Sequence, residues 1–150
     1  MNRVVITGAG TINPLGADVA STFEAMREGH CGIGRLEIDD VDRLSIQIGG
    51  QVKEYHEAEH FNRQQIGLYD RFTQFTLLAA REAITQSGLH FSGALADQSG
   101  VILGTSGGGL NTQDENYRAV YQAGKNRVHP FIVPKLMNNA AASHVSKLWN

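Results

Sequence analysis

The chain has 150 residues, 41% of them hydrophobic, with 13 basic and 15 acidic side chains and a formal net charge of −2. That is the size of one ordinary globular domain, and its balanced, scattered charge offers no electrostatic footprint for nucleic acid or an anionic membrane. A single cysteine, Cys31, excludes an internal disulfide, and no apolar run approaches the roughly 20 residues of a membrane helix.

Met1-Asn2-Arg3 leads directly into strand-like Val4-Val5-Ile6, which leaves no room for a signal peptide and makes the cytoplasm the expected compartment. Arg3–Thr7 reads as a first strand, and residues 8–16 as a loop broken by Pro14. Thr7-Gly8-Ala9-Gly10 begins like the turn of a short-chain dehydrogenase. The next glycine of that fingerprint is replaced by Ile12, however, and Pro14 falls where its helix should start. Tyr121 and Lys125 likewise imitate the Tyr-x-x-x-Lys pair of those enzymes, but Gly124 between them marks a helix that is ending.

Residues 18–28 form an amphipathic pattern with Val19, Phe23 and Met26 on one face and Gly29 as the stop. Cys31 follows in a glycine-rich loop without a preceding buried strand, so it reads as an unreactive loop thiol. Residues 46–52 alternate well enough for a strand. Next comes His56-Glu57-Ala58-Glu59-His60, the His-Glu-x-x-His spacing of zinc hydrolases. On an α-helix His56 and His60 would share a face, with Glu57 as general base and Glu82 as a candidate third ligand. The polar surroundings (Lys53, Glu54, Glu59, Asn62) read instead as a solvated surface turn.

Residues 68–87 carry the longest helical pattern, with Phe72, Phe75, Ala79, Ala83 and Ile84 on the core face. Ala79-Ala80 leave space for a neighbouring helix, Asp70 favours the helix dipole in the first turn, and Gly88 supplies the stop. Residues 92–97 read as a surface loop. Val101-Ile102-Leu103 suits a central strand covered on both faces, and it runs into Gly104-Thr105-Ser106-Gly107-Gly108-Gly109, where missing Cβ atoms allow a ligand or another chain to approach closely. A helix over 111–123 follows. Two prolines bracket Phe131-Ile132-Val133, which predicts an extended, exposed segment that calls for a partner surface. The last helix begins near Asn138 and runs to Leu148-Trp149-Asn150 without a stop signal, as a cut polypeptide would.

Four stretches taken in order, residues 4–16, 70–75, 100–110, and 130–134 with 139–144, resemble the N-terminal part of a β-ketoacyl-acyl carrier protein synthase, an elongating condensing enzyme of the synthase II type. The resemblance spans essentially all of residues 1–150. It implies an α/β, thiolase-like fold of which this chain supplies most of the first half. It further implies decarboxylative condensation of an acyl thioester with malonyl-acyl carrier protein in fatty acid or polyketide synthesis, a homodimer, acyl carrier protein as partner, and no cofactor. The family's cysteine turn lies just beyond Asn150 and its histidines later, so the chain alone is expected to be inactive. Gly107 falls where many members carry a bulky apolar gate to the acyl pocket. Gly107, Gly108, Phe131 and Ile132 are the expected substrate-binding residues, the last two reaching across the dimer. A non-catalytic short paralogue that dimerises with a complete synthase, or binds carrier protein, is the first alternative. A zinc hydrolase is the second.

Overall fold

In the computed structural model, which describes residues 3–149, the chain divides into two compact units. The first comprises residues up to Tyr55 together with Leu78–Gly88, and the second His56–Leu77 and Leu89 onward.

In the first unit, α1 (Val19–Arg27) starts where the sequence signals it: Asp18 caps the helix, its carboxylate accepting from the Ser21 amide (2.7 Å) and hydroxyl (2.6 Å). These bonds to the ionised form hold the Asp18 carboxyl below its usual value, the hydroxyl contributing most. The face expected to be buried is not. Phe23 and Met26 are 67% and 63% exposed, and Ala25 is the helix's buried residue. β1 (Ile33–Arg35) and β2 (Ile48–Gly50) form an antiparallel ribbon with Ile33 opposite Gly50 and Arg35 opposite Ile48.

The first predicted strand is a correction. Arg3–Thr7 forms no ladder among the described residues, and Val4 and Ile6 are each 93% exposed. What holds the N-terminal segment is the end of α3 (Arg71–Ser87). Gln86 accepts from the Ala9 amide (2.6 Å), and Glu82 accepts from the Thr11 amide (2.9 Å) with one oxygen and the Val19 amide (2.8 Å) with the other. Side chains four apart on the helix thus take amides two apart on the segment, because four residues of helix and two of extended chain advance by about the same 6–7 Å.

The same packing explains Gly8 and Gly10. A Cβ there would lie 2.0 and 1.9 Å from the Ala83 and Ala79 carbonyl oxygens, so these glycines seat the backbone on α3. Ala79 therefore receives backbone rather than the helix expected. Glu82→Ala would strip the half-buried Thr11 and Val19 amides of a charged acceptor. The expected loss is about 2–4 kcal/mol of stability, read as a lower urea midpoint, with Glu82→Gln retaining part of it.

In the second unit, a one-turn 3-10 helix at Glu57–Glu59 leads to α2 (Arg63–Leu68), capped reciprocally by Asn62 and Gln65. Tyr69 and Asp70 break the chain before α3, so the long helix begins at Arg71 rather than at position 68. The predicted loop at 92–97 contains a single turn, α4 (Ala94–Asp97), because Ala94-Leu95-Ala96 are good helix formers. Val101–Leu103 is not a strand among the described residues, and the Ile102 side chain is wholly exposed.

α5 (Leu110–Tyr117) continues into a π-helical turn, Arg118–Gln122, and Gly124 ends it with φ +65°. The segment between the prolines is helical, not extended: α6 spans Ile132–Leu136. Pro134 fits because it stands third in that helix, where its missing N–H has no intrahelical partner to lose. α7 (Ala140–Trp149) completes the unit, and Asn150 lies outside the described residues. Its core includes Phe61, Tyr69, Leu77, Ala141 and Val145, with Phe61 edge-on to Tyr69 at 5.7 Å between centroids and Tyr69 edge-on to His144 at 4.6 Å. No helix among the described residues is long and apolar enough to cross a membrane.

Candidate functional site

The glycine turn between Gly104 and α5 is the best-defined candidate, and the four amides from Gly107 to Leu110 each have an acceptor within the unit. Thr105 Oγ1 accepts from the Gly107 (3.5 Å) and Gly108 (3.2 Å) amides, the Gly109 amide donates to the Leu136 carbonyl (3.0 Å), and the Leu110 amide to the Gly108 carbonyl (3.0 Å). A turn closed on itself in this way has little freedom.

The three glycines do different work. Gly108 is buried with φ +61°, and a Cβ would meet the Leu136 carbonyl oxygen at 2.4 Å and Asn138 Oδ1 at 2.6 Å. Gly109 is buried too, with its Cβ position 2.7 Å from Leu136 Cα and 3.2 Å from Asp70 Oδ2. At Gly108 and Gly109 the close approach is made by the chain's own α6 end and, at Gly108, by Asn138. Gly107 differs: its φ is not left-handed, and the atoms nearest to a Cβ there are those of the Leu110 side chain, at 2.9–3.1 Å. Leu110 is exposed and able to turn aside, so position 107 is where the turn accepts a side chain.

Asp70 anchors this turn. Only 3% exposed, its carboxylate accepts from the Phe72 amide (3.2 Å), the Thr112 amide (2.7 Å) and the Thr112 hydroxyl (2.6 Å). It therefore caps α3 and α5 at once, and the two positive helix ends offset its buried charge. Sequence reading assigned Asp70 only a dipole role and overlooked Thr112. The available signals were an acidic residue just before one helix and a threonine in the first turn of another. Neither indicates that the two meet.

Phe131 precedes α6 and is 50% exposed, while Ile132, its first residue, is half-buried. Gly108 and Gly109 pack on the other end of the same helix, so α6 has Phe131 and Ile132 at its start and Gly108 against its end, while the nearest neighbours of Gly107 are Leu110 side-chain atoms. The His56–His60 stretch departs from the zinc reading. Its 3-10 turn lacks the α-helical period that would bring residues four apart onto one face, and Glu57 accepts from Gln74 Nε2 (3.2 Å). Glu82, the candidate third ligand, has both oxygens occupied by backbone amides. Among the described residues no three His, Cys, Asp or Glu side chains gather to hold a metal ion. Cys31 is exposed at the edge of β1, with the Ile33 amide directed at its sulfur (3.4 Å).

Burial, and to a lesser degree the Lys147 charge, push the His144 imidazole below its usual value. With the folded value depressed, the native state binds fewer protons than the unfolded one. The stability His144 contributes is therefore full above the ordinary imidazole range near pH 6.5 and is lost as pH falls through the lowered value. Thermal melts between neutral and mildly acidic pH are expected to show that loss in the native chain and a flatter profile in His144→Phe.

The profile of the β-ketoacyl synthase N-terminal domain matches residues 1–150. The chain belongs to the β-ketoacyl synthase family. The 3-oxoacyl-[acyl-carrier-protein] synthase 2 of Staphylococcus aureus strain N315 is 35% identical over 144 residues, covering 96% of this synthase domain and 35% of that protein. Nodulation protein E of Rhizobium sp. strain N33 is 39% identical over 144 residues, covering 96% of this chain and 36% of that protein. The synthase domain thus spans about a third of the length of these relatives.

Among solved structures, a Burkholderia phymatum β-ketoacyl synthase superposes with a TM-score of 0.77 at 21% identity, covering 99% of this chain and 37% of the other. A type II polyketide ketosynthase, solved in complex with its acyl carrier protein and bound to a hexaketide, gives 0.76 at 20% identity over 99% of this chain and 39% of that one. These likenesses identify the architecture as part of the thiolase-like ketosynthase fold. A strand's hydrogen bonds come from neighbours, and residues 4–7 and 101–103 find none among the described residues.

Proposed function

We propose that this domain serves as the N-terminal portion of a 3-oxoacyl-acyl carrier protein synthase. In the complete enzyme a cysteine takes the acyl group from acyl-acyl carrier protein, releasing the carrier's thiol; malonyl-acyl carrier protein is then decarboxylated, and the resulting carbanion attacks the acyl carbonyl and displaces the cysteine. One 3-oxoacyl thioester and one carbon dioxide result, and the enzyme thiol is freed. Such chemistry needs an activated thiolate and oxyanion donors. By resemblance these belong to the family's cysteine and histidines, which have no matching positions in residues 1–150. The reading is carried by one observation above others: the family profile matches every residue of the chain.

This chain's contribution is to shape the acyl site. Gly107 leaves the gate position without a side chain, so the enzyme accepts longer or bulkier acyl chains than a relative with isoleucine there. Gly108 has no room for a side chain, so any part it takes in substrate binding is through its backbone. Half-exposed Phe131 is available to a second subunit, in keeping with a homodimer whose partners line each other's tunnels. Acyl carrier protein is the proposed partner, as in the ketosynthase complex named above, and the cytoplasm the proposed compartment.

The test is to express the native polypeptide that contains these residues and offer it acyl- and malonyl-acyl carrier protein. The expected result is a 3-oxoacyl product with matching carbon dioxide release, and neither being formed would overturn the reading. Gly107→Ile is expected to shift the product profile toward shorter acyl groups. An unchanged profile would remove the gate.

A further inference from the structure

The glycine turn is steered by a charge rather than by apolar packing. We propose that Asp70 is the positioning residue of this turn, and through it a determinant of which acyl chains the synthase accepts. The inference rests on the function proposed above for its substrate class.

Gly109 stands just before α5 and has no side chain with which to cap it. The cap comes instead from 42 residues earlier in the chain: Asp70 Oδ2 takes the Thr112 amide and hydroxyl, while Oδ1 holds the Phe72 amide of its own helix. Oδ2 also lies 3.2 Å from where a Gly109 Cβ would be, so the carboxylate abuts the turn itself. Gly108 and Gly109 also rest on the Leu136 backbone, where a Cβ would find no room. The position of the turn is therefore set by where the Asp70 carboxylate holds the first turn of α5, and Gly107 is only two residues from Gly109.

Charge matters as well as shape. An asparagine at 70 fits the same space and offers Thr112 one oxygen, but it turns an amide N–H toward the Phe72 N–H, donor against donor. The helix start relaxes without the fold being lost. Thr112→Val probes the same pair from the other side, removing the hydroxyl and keeping the backbone amide.

The experiment measures kcat and KM of the native polypeptide for a short and a long saturated acyl thioester, in the wild type, Asp70→Asn and Thr112→Val, with melting temperature followed in parallel. The ratio of kcat/KM for long over short chains is expected to change about tenfold in both variants, the factor that goes with one charge-assisted hydrogen bond. Both variants are expected to melt as single cooperative species. If both acyl chains lose rate by the same factor, Asp70 is a stabilising residue only and the inference is overturned. A wild type that condenses neither thioester overturns the proposed function, and this inference with it. An active wild type with an unchanged ratio overturns this inference alone.

Discussion

Gly108→Ala is expected to destabilise the second unit by about 3 kcal/mol or more, combining left-handed backbone strain with forced repacking. Its φ of +61° already disfavours any side chain, and the new methyl would sit 2.4 Å from the Leu136 carbonyl oxygen, a backbone atom with nowhere to move. Gly107→Ala, one residue earlier, is expected to stay within about 0.5 kcal/mol of the parent, because its φ is not left-handed and the atoms nearest to the new methyl belong to the exposed Leu110 side chain, which can shift. Urea titrations of the two variants separate the roles. Equal losses would mean that position 107 is as constrained as 108 and cannot act as an open gate.

The second large effect is expected at Asp70. Asp70→Ala removes the acceptor of two amides and a hydroxyl in a buried setting and is expected to cost about 3–5 kcal/mol. Asp70→Asn, which keeps the bonds to Thr112, is expected to cost about 1–2 kcal/mol. Hydrogen exchange at the Thr112 amide gives a local reading, with protection falling further in the alanine variant than global stability alone accounts for. Combining Asp70→Ala with Thr112→Val should cost less than the sum of the single changes, since both remove the same bond. Strict additivity would show that the Asp70–Thr112 contact carries no energy of its own.

The roles of Gly107, Gly108 and Asp70 fit one account of the turn. Gly108 and Gly109 let it lie against the end of α6 and Asn138, Asp70 holds the start of α5, and Gly107 faces only a movable neighbour at closest approach, the exposed Leu110 side chain. Motif matching placed Gly107 and Gly108 together as substrate contacts. Only the packing around them separates a position that tolerates a side chain from one that does not.

What the sequence determined by itself was local. Asp18 at the start of α1, Gly88 at the end of α3 and Gly124 at the end of the π-helical turn carry their signals within a few residues of the structure they specify, and the ordered glycine, proline and small-residue motifs marked the family. The tertiary structure decided the rest. Glu82 reaches amides 71 and 63 residues away, and Asp70 reaches Thr112 across 42, with nothing in the neighbouring sequence to announce either pairing. Val4–Thr7 and Val101–Leu103 have strand composition but no ladder among the described residues, because strand hydrogen bonds are made by a neighbour and not by the segment itself. Phe131–Val133 read as extended because proline is a helix breaker, yet Pro134 falls in the first turn of α6, where no hydrogen bond is lost. Caps and stops depend on residues a turn apart and can be read in order along the chain. Ladders, carboxylate clamps and the space beside a glycine depend on which distant segments meet, and only the folded chain decides that.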